Sequence, residues 1–178
     1  MLQEILEILK YVLPAVVVLI ATSLIVNKFL VKEIERKQLS IFKENANLTI
    51  QMRLQAYERL AIFIERMHPN SMIHRFYTKD ATAQDMQLAM LQSIRSEFEH
   101  NLSQQLYVSS EVWQTIVAVK EQEITMINRI GASLPMGAPA GDLVRALSEF
   151  VMTDETELPT KIALETINRE AKRVLFTP

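Results

Sequence analysis

The most conspicuous pattern in the chain is a run of sixteen uncharged, mostly apolar residues at positions 11–26. Lys10 precedes the run, and Lys28 and Lys32 follow it. A bilayer core of about 30 Å is crossed by roughly 20 apolar residues in a helix, with a lower limit of about 17. The bare run is slightly short, but lysine stems can lie along lipid while their ammonium groups reach the interface. The pattern therefore predicts a membrane-spanning helix over about residues 9–30.

Two other kinds of segment, a cleaved signal peptide and a buried core helix, fit this stretch less well than a span. A cleaved signal peptide has a basic start and a small-residue cleavage site, whereas here Glu4 and Glu7 come before the first lysine. A buried core helix that is apolar on every face needs a large protein around it, and 178 residues are marginal for that. A membrane span is the interpretation that the sequence favours.

The flanking charges predict the orientation of the span. One Lys precedes it, and five Lys or Arg residues follow it up to Lys43. Cytoplasmic flanks are enriched in Lys and Arg, so the C-terminal side is predicted to be cytoplasmic and the N-terminus to lie outside. Tyr11, at the predicted outer end of the span, is an aromatic residue of the kind that is enriched at membrane–water interfaces. The predicted interfacial residues are Lys10, Tyr11, Lys28, Lys32, Arg36 and Lys37.

The chain beyond the span is predicted to be helical throughout, since no alternating strand pattern is bounded by turn residues. Residues 32–48 carry only a thin apolar stripe and are predicted to form a helical stalk next to the membrane. From Ile50 onward, apolar residues recur every three or four positions, which is the spacing of a buried helix face. We therefore assign residues 1–31 to a membrane anchor and 49–178 to a cytoplasmic bundle of four or five helices.

Proline and capping residues mark the first helices of this all-α bundle. The long first helix is predicted to end at His68, because a residue before proline avoids helical angles. Thr82, with Asp85 three residues later, has the pattern of a capping box. The helix that follows is predicted to reach about Leu106 and to bury Leu102 on its apolar face.

Serine and glycine mark the helices that come next. One helix is predicted to begin after Ser109 or Ser110 and to end at Gly131, in the manner of a C-terminal glycine cap. Its first half is apolar nearly all round, which predicts a central position among neighbouring helices. A short helix around residues 143–151 follows, and the last helix is predicted to start near Pro159, a favoured first-turn position.

The composition limits the chemistry that the chain can support. It has no cysteine and a formal net charge of −2. Disulfides, thiolate nucleophiles and cysteine-based zinc sites are therefore absent. Nucleic-acid binding is not expected, because the only basic stretch lies beside the predicted span, where it suits anionic lipid head groups.

Two Glu-x-x-His motifs, Glu65…His68 and Glu97…His100, are the clearest candidates for metal chemistry. Paired motifs of this spacing contribute to the di-iron centre of ferritin-like bundles. If Phe98 points inward, however, His100 lies about 160° away from the core at about 100° per residue. The motifs are therefore interpreted as surface residues, and no metal ligand, cofactor or catalytic residue is assigned.

The three glycines of the chain all lie within residues 131–141. Such a loop could present backbone N–H groups to an anion at the start of the next helix. No Lys, Ser or Thr stands where a phosphate loop needs one, and Asp142 puts a negative charge at that point. The loop is therefore interpreted as a helix connector.

Residues 53–60 with 62–69, and again 97–109, resemble an uncharacterised family of single-span helical membrane proteins from Bacteroidota-type bacteria. The resemblance implies a bacterial inner-membrane protein. That family has no assigned activity, so no functional residue is carried over. Polar residues in the resembling segment suggest either a buried Arg–Glu or Tyr network or ordinary surface pairs. These residues are Arg53, Tyr57, Glu58 and Arg66.

The sequence thus favours a membrane-anchored, non-enzymatic scaffold or accessory subunit of an inner-membrane protein complex. One alternative is a metal-binding, di-iron-like bundle enzyme built on the Glu-x-x-His pairs. Another is a homo-oligomer whose spans pack through small residues. The expected partners are membrane lipid and other proteins or further copies of the chain. The small residues of the span are Ala15, Ala21, Thr22 and Ser23.

Overall fold

The structure, a computed structural model, describes residues 2–153 and 158–176, without the side chains of residues 2–9, Tyr11, Pro14, Ala15 and Thr153. Its described elements are all helices, which confirms the predicted all-α class. They are α1 (Leu2–Met67), α2 (Pro69–Phe76), α3 (Ala83–Asn101), a 3-10 helix (Leu102–Leu106), α4 (Ser110–Ala132), α5 (Ala140–Thr153) and α6 (Pro159–Phe176).

Contacts between Cα atoms divide the chain into two units, Met1–Thr49 and Ile50–Pro178. The first unit consists of the N-terminal part of α1. Among the described residues, no helix offers a stretch that is both long enough and apolar enough to cross a membrane. Tyr11, one of the predicted interfacial residues, falls outside the described side chains.

The second unit contains six α-helices in its described part, so the predicted number of four or five was too low. The additional helix is α2, which covers a stretch left unassigned from sequence. Pro69 occupies its first turn, where a missing N–H is tolerated. The His68 ring nitrogen Nδ1 accepts a hydrogen bond from the Asn70 N–H at 3.2 Å, which caps the start. Local capping therefore stabilises a helix of only eight residues.

A hydrophobic core joins the helices of the second unit. Helix α1 contributes a buried stripe that includes Tyr57, Leu60 and Phe63, as its three-and-four spacing predicted. The rings of Phe63 and Phe98 lie 6.1 Å apart, and Phe98 stacks on Trp113 at 5.6 Å. Helix α4 packs against α3, α5 and α6, which confirms its central position.

Two of the predicted helix ends differ from the structure. Helix α3 stops at Asn101, whose side-chain amide donates to the Glu97 carbonyl, and the chain tightens into the 3-10 helix. Leu102 leaves the buried face as a result and is 41% exposed. Gly131 lies inside α4, which continues to Ala132, while the left-handed glycine is Gly137 with φ +79°. The capping box of Thr82 was predicted correctly.

Candidate functional site

The first unit presents apolar side chains on every face of its helix. Val17, Leu19 and Ile25 lie on three different faces at about 100° per residue, and they are 56%, 70% and 68% exposed. Exposed apolar surface of this extent marks an interaction site for lipid or protein. The described basic residues predicted to flank the span are exposed as well. They are Lys10, Lys28, Lys32, Arg36 and Lys37.

Glu97, a member of one Glu-x-x-His motif, is bound by two arginines in the second unit. Its Oε1 accepts from Arg75 Nη2 at 2.8 Å, and its Oε2 faces Arg66 Nε at 3.2 Å. Ser93 Oγ donates to the same carboxylate at 3.1 Å. Because the two arginines come from α2 and α1, Glu97 ties both of those helices to α3.

The remaining members of the two motifs do not join Glu97 in a ligand set. His100 Nε2 accepts from Arg59 Nη2 at 2.9 Å, His68 caps α2, and Glu65 is exposed. Within the described residues, no group of three His, Asp or Glu side chains is placed to hold a metal ion. Glu97 therefore belongs to a surface cluster of ion pairs, and His68 caps a helix.

A polar network forms where α1 enters the second unit. Arg53 Nη2 donates to the Tyr57 hydroxyl at 2.9 Å, and that hydroxyl donates to Glu170 Oε1 at 2.7 Å. The Ser109 backbone N–H donates to the same carboxylate at 2.9 Å, and the Ser109 hydroxyl donates to its second oxygen. Arg53 Nε also donates to the Tyr107 carbonyl at 3.2 Å. The sequence had left open whether Arg53 and Tyr57 form such a network, and they do.

The titration of the network follows from its contacts. Burial raises the pKa of Tyr57 to about 12, and its hydrogen bond to Glu170 adds to this effect. Burial also acts to raise the pKa of Glu170, but the hydrogen bonds from Ser109 and Tyr57 outweigh it. The pKa of Glu170 is therefore lowered. The ionised carboxylate is stabilised there, so Glu170 of α6 links α1 to the residue that caps α4.

Glu123 lies in the buried stripe of α4, four residues after Val119 and four before Ile127. Its side chain is only 2% exposed, and its Oε2 has no hydrogen-bond partner among the described residues. Burial raises the pKa of Glu123 to about 7. Sequence reasoning overlooked this residue, although a lone Glu at a stripe position is a visible signal.

A cleft of about 340 Å³ opens beside Glu123. Its apolar wall is formed by Met126 of α4, Phe150 of α5, and Leu158 and Pro159 at the start of α6. The Arg129 guanidinium, which also lines the cleft, lies over the Phe150 ring at 5.3 Å from its centroid. The cleft thus combines an apolar wall with one buried carboxyl group.

The loop between α4 and α5 is a connector, as the sequence indicated. The Ala83 N–H donates to the Ala138 carbonyl at 2.8 Å, and the Ala140 N–H donates to Ala81 at 3.0 Å. The Asp142 N–H donates to Pro139 at 2.9 Å. These contacts pin the loop to the segment before α3 and occupy N–H groups that an anion would need.

Comparison with known proteins supplies a family but no activity. No curated protein matches the chain, and no protein of solved structure does. A family model described as a family of unknown function, DUF7935, matches residues 3–174. This agrees with the uncharacterised status of the family that the sequence resembles. Since the match covers nearly the whole chain, the protein belongs to the DUF7935 family of unknown function.

Proposed function

We propose that the protein is a membrane-anchored, non-enzymatic scaffold or accessory subunit of a bacterial inner-membrane complex. Residues 9–30 form the anchor, with the N-terminus outside, and the second unit folds in the cytoplasm. The observation that carries the proposal is the exposure of apolar side chains on every face of α1 between Val12 and Val31. Exposing this apolar surface to water costs roughly 25 cal/mol of free energy per Å². Contact with lipid avoids that cost, because the lipid interior is itself apolar.

The length of the segment also fits a bilayer. At 1.5 Å per residue, residues 9–30 extend for about 33 Å, close to the 30 Å of a hydrocarbon core. This match rests on the complete sequence, because Leu9, Tyr11, Pro14 and Ala15 lie inside the segment but outside the described side chains. Lys10 and Lys28, both within reach of the interface, bring the only formal charges of that segment.

The scaffold role is supported by how the second unit uses its polar side chains. The Glu97 carboxylate is bound by side chains of α1 and α2, and the Glu170 carboxylate is bound by Tyr57 of α1 and by Ser109, the residue that caps α4. Both carboxylates thus connect parts of the bundle. Groups engaged in this way stabilise a rigid body and are not free to act on a substrate. A rigid bundle suits a protein that positions partners beside a membrane.

Anchoring is tested by alkaline carbonate extraction of bacterial membranes that contain the full chain. Leu19→Arg places a charge at the centre of the anchor, which costs roughly 3 kcal/mol on insertion scales. Phe42→Arg is the matched control, because Phe42 is 71% exposed on the same helix and Leu19 is 70% exposed. We expect the wild type and Phe42→Arg to stay in the membrane pellet and Leu19→Arg to leave it. Release of the wild type from the membrane to the same extent as Leu19→Arg would contradict the anchor.

The scaffold role is tested by crosslinking in native membranes, followed by purification in mild detergent. A reproducible protein partner supports the proposal. A complex that contains only copies of this chain would instead support the homo-oligomer. A strictly monomeric protein without a partner would contradict both roles.

A further inference from the structure

Among the residues that the structure describes, Glu123 beside the cleft has a buried carboxyl oxygen, Oε2, without a hydrogen-bond partner. A buried carboxyl group without a partner is costly, and native proteins satisfy nearly all such groups. Glu123 as a residue is only 2% exposed, and its Oε2 belongs to a residue that lines the cleft. The residue with this unmet hydrogen-bonding capacity forms part of the cleft wall, and because Oε2 itself is closed to solvent, the carboxyl group must turn toward the cleft to meet a ligand.

The cations that line this part of α4 are engaged elsewhere. Arg129 lies over the Phe150 ring. The Lys120 ammonium is 2.5 Å from the Glu121 carboxylate and 4.3 Å from the centroid of the Phe98 ring. Neither is paired with Glu123 in the described structure, so neither of them competes with a positive charge that enters the cleft for the Glu123 carboxyl group.

The walls of the cleft indicate what kind of molecule would carry this positive charge. Met126, Phe150, Leu158 and Pro159 present apolar surface, and a flexible methionine adapts to ligands of different shape. The volume of about 340 Å³ equals that of about eleven water molecules in the liquid at about 30 Å³ each, which is enough for a small organic molecule.

We propose that this cleft binds a small apolar primary amine, whose ammonium group pairs with Glu123 and whose hydrocarbon part lies against the Met126–Phe150–Leu158 wall. An anionic or purely apolar ligand is disfavoured, because it would leave the Glu123 carboxyl group without a partner. Since burial raises the pKa of Glu123 to about 7, the ammonium group displaces a proton from part of the population at neutral pH. The site is independent of the proposed membrane anchor.

The test is isothermal titration of the full chain at pH 8 with hexylammonium, with hexanol and hexanoate as probes of equal chain length. The protein is kept in buffer, or in mild nonionic detergent with protein-free detergent as the reference. We expect saturable binding of hexylammonium and at least tenfold weaker binding of the other two probes. Glu123→Gln is expected to weaken hexylammonium binding at least tenfold.

Glu111→Gln is the matched control, since Glu111 is exposed on the same helix and is not among the residues that line the cleft. This variant is expected to bind hexylammonium within about twofold of the wild type. Fluorescence of Trp113, the only tryptophan, verifies that each variant is folded. The proposal is overturned if hexanol binds as tightly as hexylammonium, if Glu123→Gln binds normally, or if no probe binds to folded protein.

Discussion

The buried carboxyl group of Glu123 predicts that the stability of the second unit depends on pH. Burial raises its pKa from 4.5 to about 7 in the folded state, while the unfolded chain keeps the ordinary value. The folded protein therefore holds the proton more tightly than the unfolded chain. Its stability falls as pH rises from about 4.5 toward 7, and the loss levels off above pH 7.

The magnitude follows from the pKa difference. At 1.36 kcal/mol per pKa unit, moving from protonated to ionised Glu123 costs about 3 kcal/mol of folding free energy. Glu123→Gln has a similar shape and cannot ionise, so it escapes this loss. We therefore expect the free energy of unfolding of the variant, minus that of the wild type, to increase by about 3 kcal/mol between pH 4.5 and pH 8.

Urea denaturation in mild nonionic detergent measures this difference, with Trp113 fluorescence as the signal. Trp113 lies on α4 with Glu123 and stacks on Phe98, so unfolding changes its environment. Subtracting the two proteins cancels the titration of every other group. Glu121→Gln should show no such increase, because Glu121 is exposed. A constant difference between wild type and Glu123→Gln across the pH range would show that burial does not shift the titration of Glu123.

Three further predictions concern local contacts, and urea denaturation checks each of them. Tyr57→Phe removes a hydroxyl that bridges Arg53 and Glu170, and we expect a loss of about 1–2 kcal/mol. Thr82→Ala removes the side chain that caps α3, at a cost of about 1 kcal/mol. Gly137→Ala forces an L residue to φ +79° and should cost about 1–2 kcal/mol. Gly141→Ala is its control and should be neutral or slightly stabilising, since the added carbon meets nothing within 4 Å beyond its chain neighbours and its own helix backbone. Unchanged stability in Tyr57→Phe or Thr82→Ala, or equal losses in both glycine variants, would contradict these assignments.

Much of the fold was predictable because periodicity and caps are local signals. The end of α1 before Pro69 and the capping box at Thr82 depend only on neighbouring residues, and both were correct. The end of α3 was not predictable in this way. There the Asn101 side chain competes for a carbonyl of its own helix, which periodicity does not register.

The candidate sites were less accessible to sequence reasoning, because they depend on tertiary contacts. Glu170 lies 113 positions after Tyr57, and no local pattern pairs two residues so far apart. The Glu-x-x-His spacing of Glu97 and His100 indicated a shared face, but it could not indicate that arginines from other helices occupy that face. Glu123 was visible in principle, since it interrupts an apolar stripe.

The most direct test of the account is the topology of the full chain in a bacterial cell. Green fluorescent protein, which fluoresces only in the cytoplasm, and alkaline phosphatase, which is active only outside it, are each fused to the C-terminus. We expect a fluorescent fusion in the membrane fraction and an inactive phosphatase fusion. An active phosphatase, or a fluorescent fusion that stays in the supernatant without detergent, would contradict a cytoplasmic bundle held at the membrane by residues 9–30.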